Sequence, residues 1–341
     1  MKPSEARNHR AMAVLPLLAL TMIVVFWLSL NVGSVNSRSG EVWRIIWGAA
    51  ADANLDFIVR NIRLPRALAA LGGGAMLAVS GLLLQVFFRN PIVGPFVLGI
   101  SSGATLMVSL VMLTSVAVGM VGVVPYLTPL AAFAGALGAM SLVMAVASRV
   151  KQGVTLLITG IMIGYLTSAV TSLLITFAEA ERIKGFNLWQ LGSFSGYTWT
   201  ELALMMSIGS VLLVLVYGIS KQLNAFLLGE NYAATMGVNI RRFRIALVFV
   251  SCGLSALVTA TAGPVAFVGL AVPHMARLAM GTSDNKLLIP ATALIGAVVC
   301  GACDIVARML FAPVEAPLSA ITSFFGAPVV IMLLLRNRVK Q

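Results

Sequence analysis

Ten apolar stretches follow one another along this chain, and no water-soluble core could absorb them. They run at Met12–Val32, Pro65–Phe88, Phe96–Leu113, Tyr126–Ala147, Val154–Phe177, Leu202–Ile219, Phe243–Ala262, Val265–Met280, Leu287–Leu310 and Leu318–Leu335. About twenty apolar residues suffice for a helix to cross the hydrocarbon core of a bilayer. Inside that core each backbone polar group must find its partner within the protein, which selects helices for runs of this length. With 60% hydrophobic and 10% charged residues, the chain reads as an all-α polytopic membrane protein. About ten transmembrane helices form one domain over residues 1–341. The first span follows Lys2, Arg7 and Arg10, but it is too long for a signal peptide and no small-residue cleavage site follows it. It is expected to stay in the protein. The eighth carries Pro273, so its inner end is expected to break up at the membrane surface.

Charge sets the orientation. The net charge of +12 would suggest nucleic acid in a soluble protein, but 15 of the 23 Lys and Arg fall on one set of loops. That asymmetry marks the cytoplasmic side and excludes the nucleic-acid reading. Both termini are therefore expected in the cytoplasm. Trp43, Trp47, Trp189 and Trp199 all fall in outer segments, where interfacial anchors belong.

A faint internal repeat runs through the spans. PLAAFAGAL from Pro129 and PATALIGAV from Pro290 both place Gly-Ala six residues after a proline, and Gly94-Pro95 matches Gly263-Pro264 at a similar offset. Chance similarity between Ala/Gly-rich helices explains this as well as an inverted repeat of spans two to five in seven to ten, an arrangement frequent in transporters.

Chemistry is bounded first by what is missing from the sequence. No G-x-x-x-x-G-K-[ST] loop occurs, so nucleotide phosphates have no cradle of that kind. Neither H-E-x-x-H nor G-x-S-x-G occurs, and the histidines are His9 and His274, which speaks against a hydrolase and a metal site. Cys252, Cys300 and Cys303 lie in apolar runs, where small packing residues are the simpler reading. Ion-coupled transporters place carboxylates in mid-membrane. Here Asp304 alone lies well inside a span, and Arg308 one turn on predicts a local ion pair. Energy for pumping would then come from another subunit. The longest cytoplasmic loop, 220–244, offers a surface for it: Gly229 and Gly237 bracket a helix-prone stretch from Glu230 to Met236, and Arg241, Arg242 and Arg244 are placed to anchor the next span to lipid. In the fifth span Thr155, Thr159, Thr167, Ser168, Thr171 and Ser172 recur mostly at four-residue steps. They would serve either packing or a transport path, because hydroxyls can bond their own helix backbone.

The stretch from Arg63 to Ala104, RLPRALAALGGGAMLAVSGLLLQVFFRNPIVGPFVLGISSGA, resembles the FecCD-type permease subunits of ABC importers for iron–siderophores, haem and cobalamin. LWQLGSFSGYTWTEL from Leu188, GPVAFVGLAVPHMARL from Gly263 and APLSAITSFFGAPVVIMLLLRNR near the C-terminus are similar to further segments of that family, in consistent order. Val93-Gly94 departs from many relatives, which carry a small and an acidic residue there. The resemblance implies a multi-pass subunit of the bacterial inner membrane, paired with a second copy of itself, with two ATP-binding cassette subunits and with a periplasmic or lipid-anchored binding protein. ATP and Mg would sit on the ATPase, and this chain would hold no cofactor, no metal and no catalytic residue. It further implies that Leu228, Gly229, Glu230, Ala233, Met236 and Gly237 couple to the ATPase. Arg63, Arg66 and Arg308 would receive acidic residues of the binding protein, and the hydroxyl stripe would line the path above a gate near Lys151, Gln152 and Gly153. A molybdate-like oxyanion importer of the same family and an ion-coupled secondary transporter stand as alternatives.

Overall fold

The computed structural model describes residues 3–33, 39–48, 52–91, 93–95, 99–114, 124–147 and 153–338, with the side chains of 3–11, 124–126, 147, 153–157 and 333–338 outside the description. The described residues form helices and connecting turns, with no strand among them. In chain order the helices are α1 (Pro3–Asn31), α2 (Ser39–Ile46), α3 (Ala53–Phe57), α4 (Leu64–Phe88), α5 (Ile100–Leu113), α6 (Val124–Ala147), α7 (Gly153–Phe177), α8 (Ala180–Gln190), α9 (Trp199–Gly218), α10 (Ser220–Leu228), α11 (Glu230–Thr235), α12 (Ile240–Ala262), α13 (Val268–Met280), α14 (Asn285–Met309) and α15 (Leu318–Arg338). A π-helical turn, Ile58–Arg63, joins α3 to α4. Each expected span coincides with a helix. Seven helical segments are long and apolar enough to cross a membrane, while α5 and the apolar part of α15 are shorter.

The chain builds this bundle around α4, which is buried along nearly its whole length against α12, α13 and α14. Pro65 starts the helix where a missing N–H costs nothing. Arg89 ends it in the left-handed region, with Arg89 N donating to Val86 O and Asn90 N to Gln85 O. That is the Schellman pattern with arginine where glycine usually stands. Small residues let α4 come close to its neighbours. Gly74 faces the backbone of Gly296 in α14, and Gly81 faces that of Gly269 in α13; a β-carbon at either position would collide with a carbonyl. A second cluster gathers α5, α6 and α8 against α12, closed by Gly103 and Gly135 in the same manner.

The structure corrects the expectation for the eighth span. Its helix does not break at Pro273 but runs through it to Met280, and the irregular part lies at the other end, over 263–267. Pro273 cannot donate to the carbonyl four residues back, which belongs to Gly269. That carbonyl lies against Gly81, so α4 covers the defect.

Between α4 and α12 the contact is reciprocal. Ser80 Oγ donates to Ser251 O at 2.7 Å and Ser251 Oγ to Ser80 O at 2.9 Å. The helices α5 and α13 each begin at a left-handed residue, Gly99 (φ 73°) and Phe267 (φ 63°). The two Pro-x5-Gly-Ala motifs use their glycines alike but on different partners, Gly135 on α5 and Gly296 on α4.

Candidate functional site

The 220–244 loop is not a loose connection. It folds into α10 and α11, which meet at Gly229 (φ 134°) and stop at Gly237 (φ 84°), backbone conformations that other residues rarely adopt. Both glycines face open space, so conformation and not crowding selects them. The inner side of this elbow is fixed to the bundle. Leu223 and Phe226 belong to the main core, and Ala233 is fully buried. Asn224 Nδ2 donates to Asp284 Oδ1 at 2.8 Å, and its Oδ1 accepts from Asn285 N at 2.8 Å. The guanidinium of Arg89, at the end of α4, lies 5.4 Å from the Phe226 ring centroid. Arg244 Nη2 pairs with Glu230 Oε2 at 2.6 Å, so this arginine holds α11 and does not serve as a lipid anchor.

The outer side of the elbow is bare and apolar. Leu228, Tyr232 and Met236 are 71%, 49% and 62% exposed. In chain order this exposed stripe takes Leu228 from the end of α10, Tyr232 from α11 and Met236 from its C-terminal cap. Of the six residues expected to couple, Leu228 and Met236 lie on this stripe, Gly229 and Gly237 shape it, and Glu230 and Ala233 hold it from behind. Tyr232, outside those six, is exposed with Leu228 and Met236; no periodicity marks it in the sequence, because Gly229 interrupts the helix before it.

At the same end of the bundle, α13 is tied to α4. Arg277 Nη1 donates to Gln85 Oε1 at 2.8 Å, Gln85 Nε2 donates to Leu270 O at 3.1 Å, and His274 Nε2 lies 2.8 Å from Pro91 O. The elbow itself is packed on α4, α12 and α14.

The opposite end holds the three arginines, and here the structure corrects the sequence reading. Arg63 and Arg66 are only 4% and 5% exposed, and the Arg308 side chain 7%. Arg66 forks onto two carboxylates, reaching Asp304 Oδ1 at 3.0 Å and Glu315 Oε1 at 2.6 Å. Arg308 Nε lies 3.2 Å from Asp304 Oδ2, the local ion pair expected from their spacing. Its Nη2 donates to Ser29 Oγ at 2.7 Å and its Nη1 to the carbonyls of Ser29 and Val32. Arg63 Nη1 donates to Leu30 O at 2.9 Å. The last carbonyls of a helix lack intrahelical partners, so Arg63 and Arg308 together cap α1. None of the three presents a free charge at the mouth, because each is satisfied inside the chain. The exposed member of the group is Glu315.

The hydroxyl stripe of α7 is likewise divided. Thr167 and Thr171 are buried and Thr159 is half-buried, whereas Ser168 and Ser172 are exposed beside Tyr165 and Leu173. Thr167 Oγ1 bonds the carbonyls of Ile163 and Gly164 in its own helix. The five whose side chains are described therefore do not share one surface. The Thr155 side chain, Lys151 and Gln152 lie outside the described residues, and Gly153 opens α7. Among the described residues no group of His, Cys, Asp and Glu could hold a metal ion. Cys300 packs on Gly74, consistent with its reading as a small packing residue.

Comparison with known proteins agrees with this arrangement. The profile of the FecCD transport family matches residues 20–336. The hemin transport system permease protein HmuU of Yersinia pestis is 35% identical over 342 residues, covering 96% of this chain and 98% of that one. The vitamin B12 import system permease protein BtuC of Serratia proteamaculans is 35% identical over 331 residues, covering 97% and 95%. Among solved structures, an inward-facing metal-chelate-type ABC transporter superimposes with a TM-score of 0.83 at 29% identity, over 95% of this chain and 99% of that one. A second, PsaBC of Streptococcus pneumoniae, shares the fold at a TM-score of 0.55 and 14% identity. By sequence, by motif and by fold, the chain belongs to the FecCD transport family.

Proposed function

We propose that this permease is the membrane subunit of a bacterial ABC importer that brings a metal chelate of the haem or corrinoid class, or an iron–siderophore, into the cytoplasm. The observation that carries this reading is the elbow at 220–237: an exposed apolar stripe for a partner, fixed by hydrogen bonds and packing to the helices behind it. In this reading ten helices cross the inner membrane with both termini inside. The Ser80–Ser251 exchange then lies on the pseudo-two-fold axis of an inverted repeat, since reciprocal bonding is what such an axis requires. A second copy covers the exposed apolar face of α7, where Tyr165 and Leu166 are each 68% exposed. Two ATPases seat on the elbows, and an external binding protein delivers cargo from the outside. ATP and Mg are bound by the ATPase. Asp304, the carboxylate deepest in a described span, is neutralised by Arg66 and Arg308, which leaves it unsuited to carrying a coupling proton.

Reconstitution tests the proposal. The chain should co-purify with an ATP-binding cassette subunit, and proteoliposomes holding both should take up haem, cobalamin or a ferric siderophore on ATP hydrolysis when a binding protein is added. ATP-driven uptake of molybdate instead would assign the oxyanion cargo. Uptake by this chain alone, driven by a proton or sodium gradient, would overturn the importer reading.

A further inference from the structure

Beside the elbow, bordered by Met236 and Gly237 at the end of α11, lies a cavity of about 510 Å³ between α10 and the start of α12. Its walls have two characters. Lys221, Gln222, Asn239 and Arg242 make a polar rim, while Ala225, Val238, Phe243 and Ala246 make an apolar floor. Lys221 and Arg242 come from different helices and are both exposed, and among the described residues neither has an acidic partner. The nearby carboxylates are already engaged, Glu230 by Arg244 and Asp284 by Asn224.

The cavity sits where a headgroup would. Gly218 closes the long apolar helix α9 three residues before Lys221, and α12 becomes apolar after Arg244, two residues beyond Arg242. Ala246 and Phe249 continue the same face of α12 into its apolar part, and Phe249 is 59% exposed. Further along, Gly253 packs against Leu212 of α9, so α9 and α12 are in contact beyond the cavity. Two cations beside an apolar helix surface at the cytoplasmic boundary match a phosphate carried on acyl chains.

We infer that Lys221 and Arg242 form a binding site for the headgroup phosphate of an anionic phospholipid of the cytoplasmic leaflet, whose acyl chain lies along α9 and α12. The inference rests on the orientation given above. Bound there, the lipid would fill the space behind the elbow and hold α10 against α12.

The test uses the full chain in nanodiscs of phosphatidylcholine with a minor fraction of phosphatidylglycerol, re-extracted into neutral detergent and read by native mass spectrometry. Wild type should retain phosphatidylglycerol over phosphatidylcholine. The Lys221→Gln/Arg242→Gln double variant should lose that preference by about thirtyfold, as expected for two cations at a lipid surface. Ala246→Trp, which fills the floor without changing charge, should lose it too, while Arg241→Gln, outside the cavity, should keep it. Equal retention in the double variant overturns the inference. So does displacement by inorganic phosphate alone, which would make this a small-anion site. Loss of ATPase co-purification with lipid retention unchanged would also overturn it, because the cations would then belong to the protein partner. The lipid is read on the permease alone, so a failure here is distinct from a failure of the importer reading.

Discussion

The carbonyl of Gly269 rests directly on the α-carbon face of Gly81, in the space a β-carbon would need. This contact lays the carbonyl that Pro273 leaves without its helical N–H against α4, and it fixes the distance between α4 and α13. Gly81→Ala should therefore destabilise the fold by about 3 kcal/mol or more, at the upper end of overpacking costs. Gly138→Ala is the control, since nothing stands within 4 Å of a β-carbon there; in a helix interior that change should be neutral or slightly stabilising. Thermal denaturation in detergent separates the two, and equal melting temperatures would contradict the Gly81–Gly269 contact.

Arg66 carries the charge of a buried cluster. Arg66→Met leaves Glu315 without its partner and Asp304 with Arg308 alone, and should cost about 3–5 kcal/mol, as breaking a buried pair does. Glu315→Gln should cost about 1 kcal/mol or less because that carboxylate is partly exposed. Membrane abundance and melting temperature of the two variants check the order. An Arg66→Met protein as stable as wild type would return this arginine to a role in docking.

The apolar stripe of the elbow should act without supporting the fold. Replacing Leu228, Tyr232 and Met236 together with Ala should abolish co-purification of the ATPase while leaving the permease melting temperature unchanged, because all three are exposed. Gly229→Val should give the same loss by a different route. It meets open space but forces a branched residue to φ 134°, at about 1–3 kcal/mol of local strain.

Asn224 tests transmission separately from assembly. Asn224→Ala removes the hydrogen bonds to Asp284 and Asn285 without touching the exposed stripe. ATPase binding should persist while uptake per ATP hydrolysed falls several-fold. Unchanged coupling would show that the packing of Leu223 and Phe226 suffices.

Period and composition made the spans legible, since apolar runs of bilayer length have few other uses. They also located the Asp304–Arg308 pair, because i, i+4 spacing determines that contact. What escaped was everything set by partners far along the chain. Arg63, Arg66 and Arg308 looked like charges at a mouth because their partners, Leu30, Glu315 and Ser29, stand far from them in sequence. Pro273 looked like a helix end because its compensation lies in α4. The α7 hydroxyls looked like one stripe because of their four-residue steps, but Thr167 with Thr171 and Ser168 with Ser172 form two rows about 100° apart around the helix, which meet different surroundings.

The capping of α1 by Arg308 also has a meaning in time. Membrane helices enter the bilayer in order as the ribosome makes them, and Ser29 precedes its arginine by 279 residues. Until α14 arrives, Arg63 alone of the two capping arginines can serve the end of α1, so α1 waits on α14 for its final anchorage. The helix is thus a clasp that locks only once the chain has been made as far as Arg308.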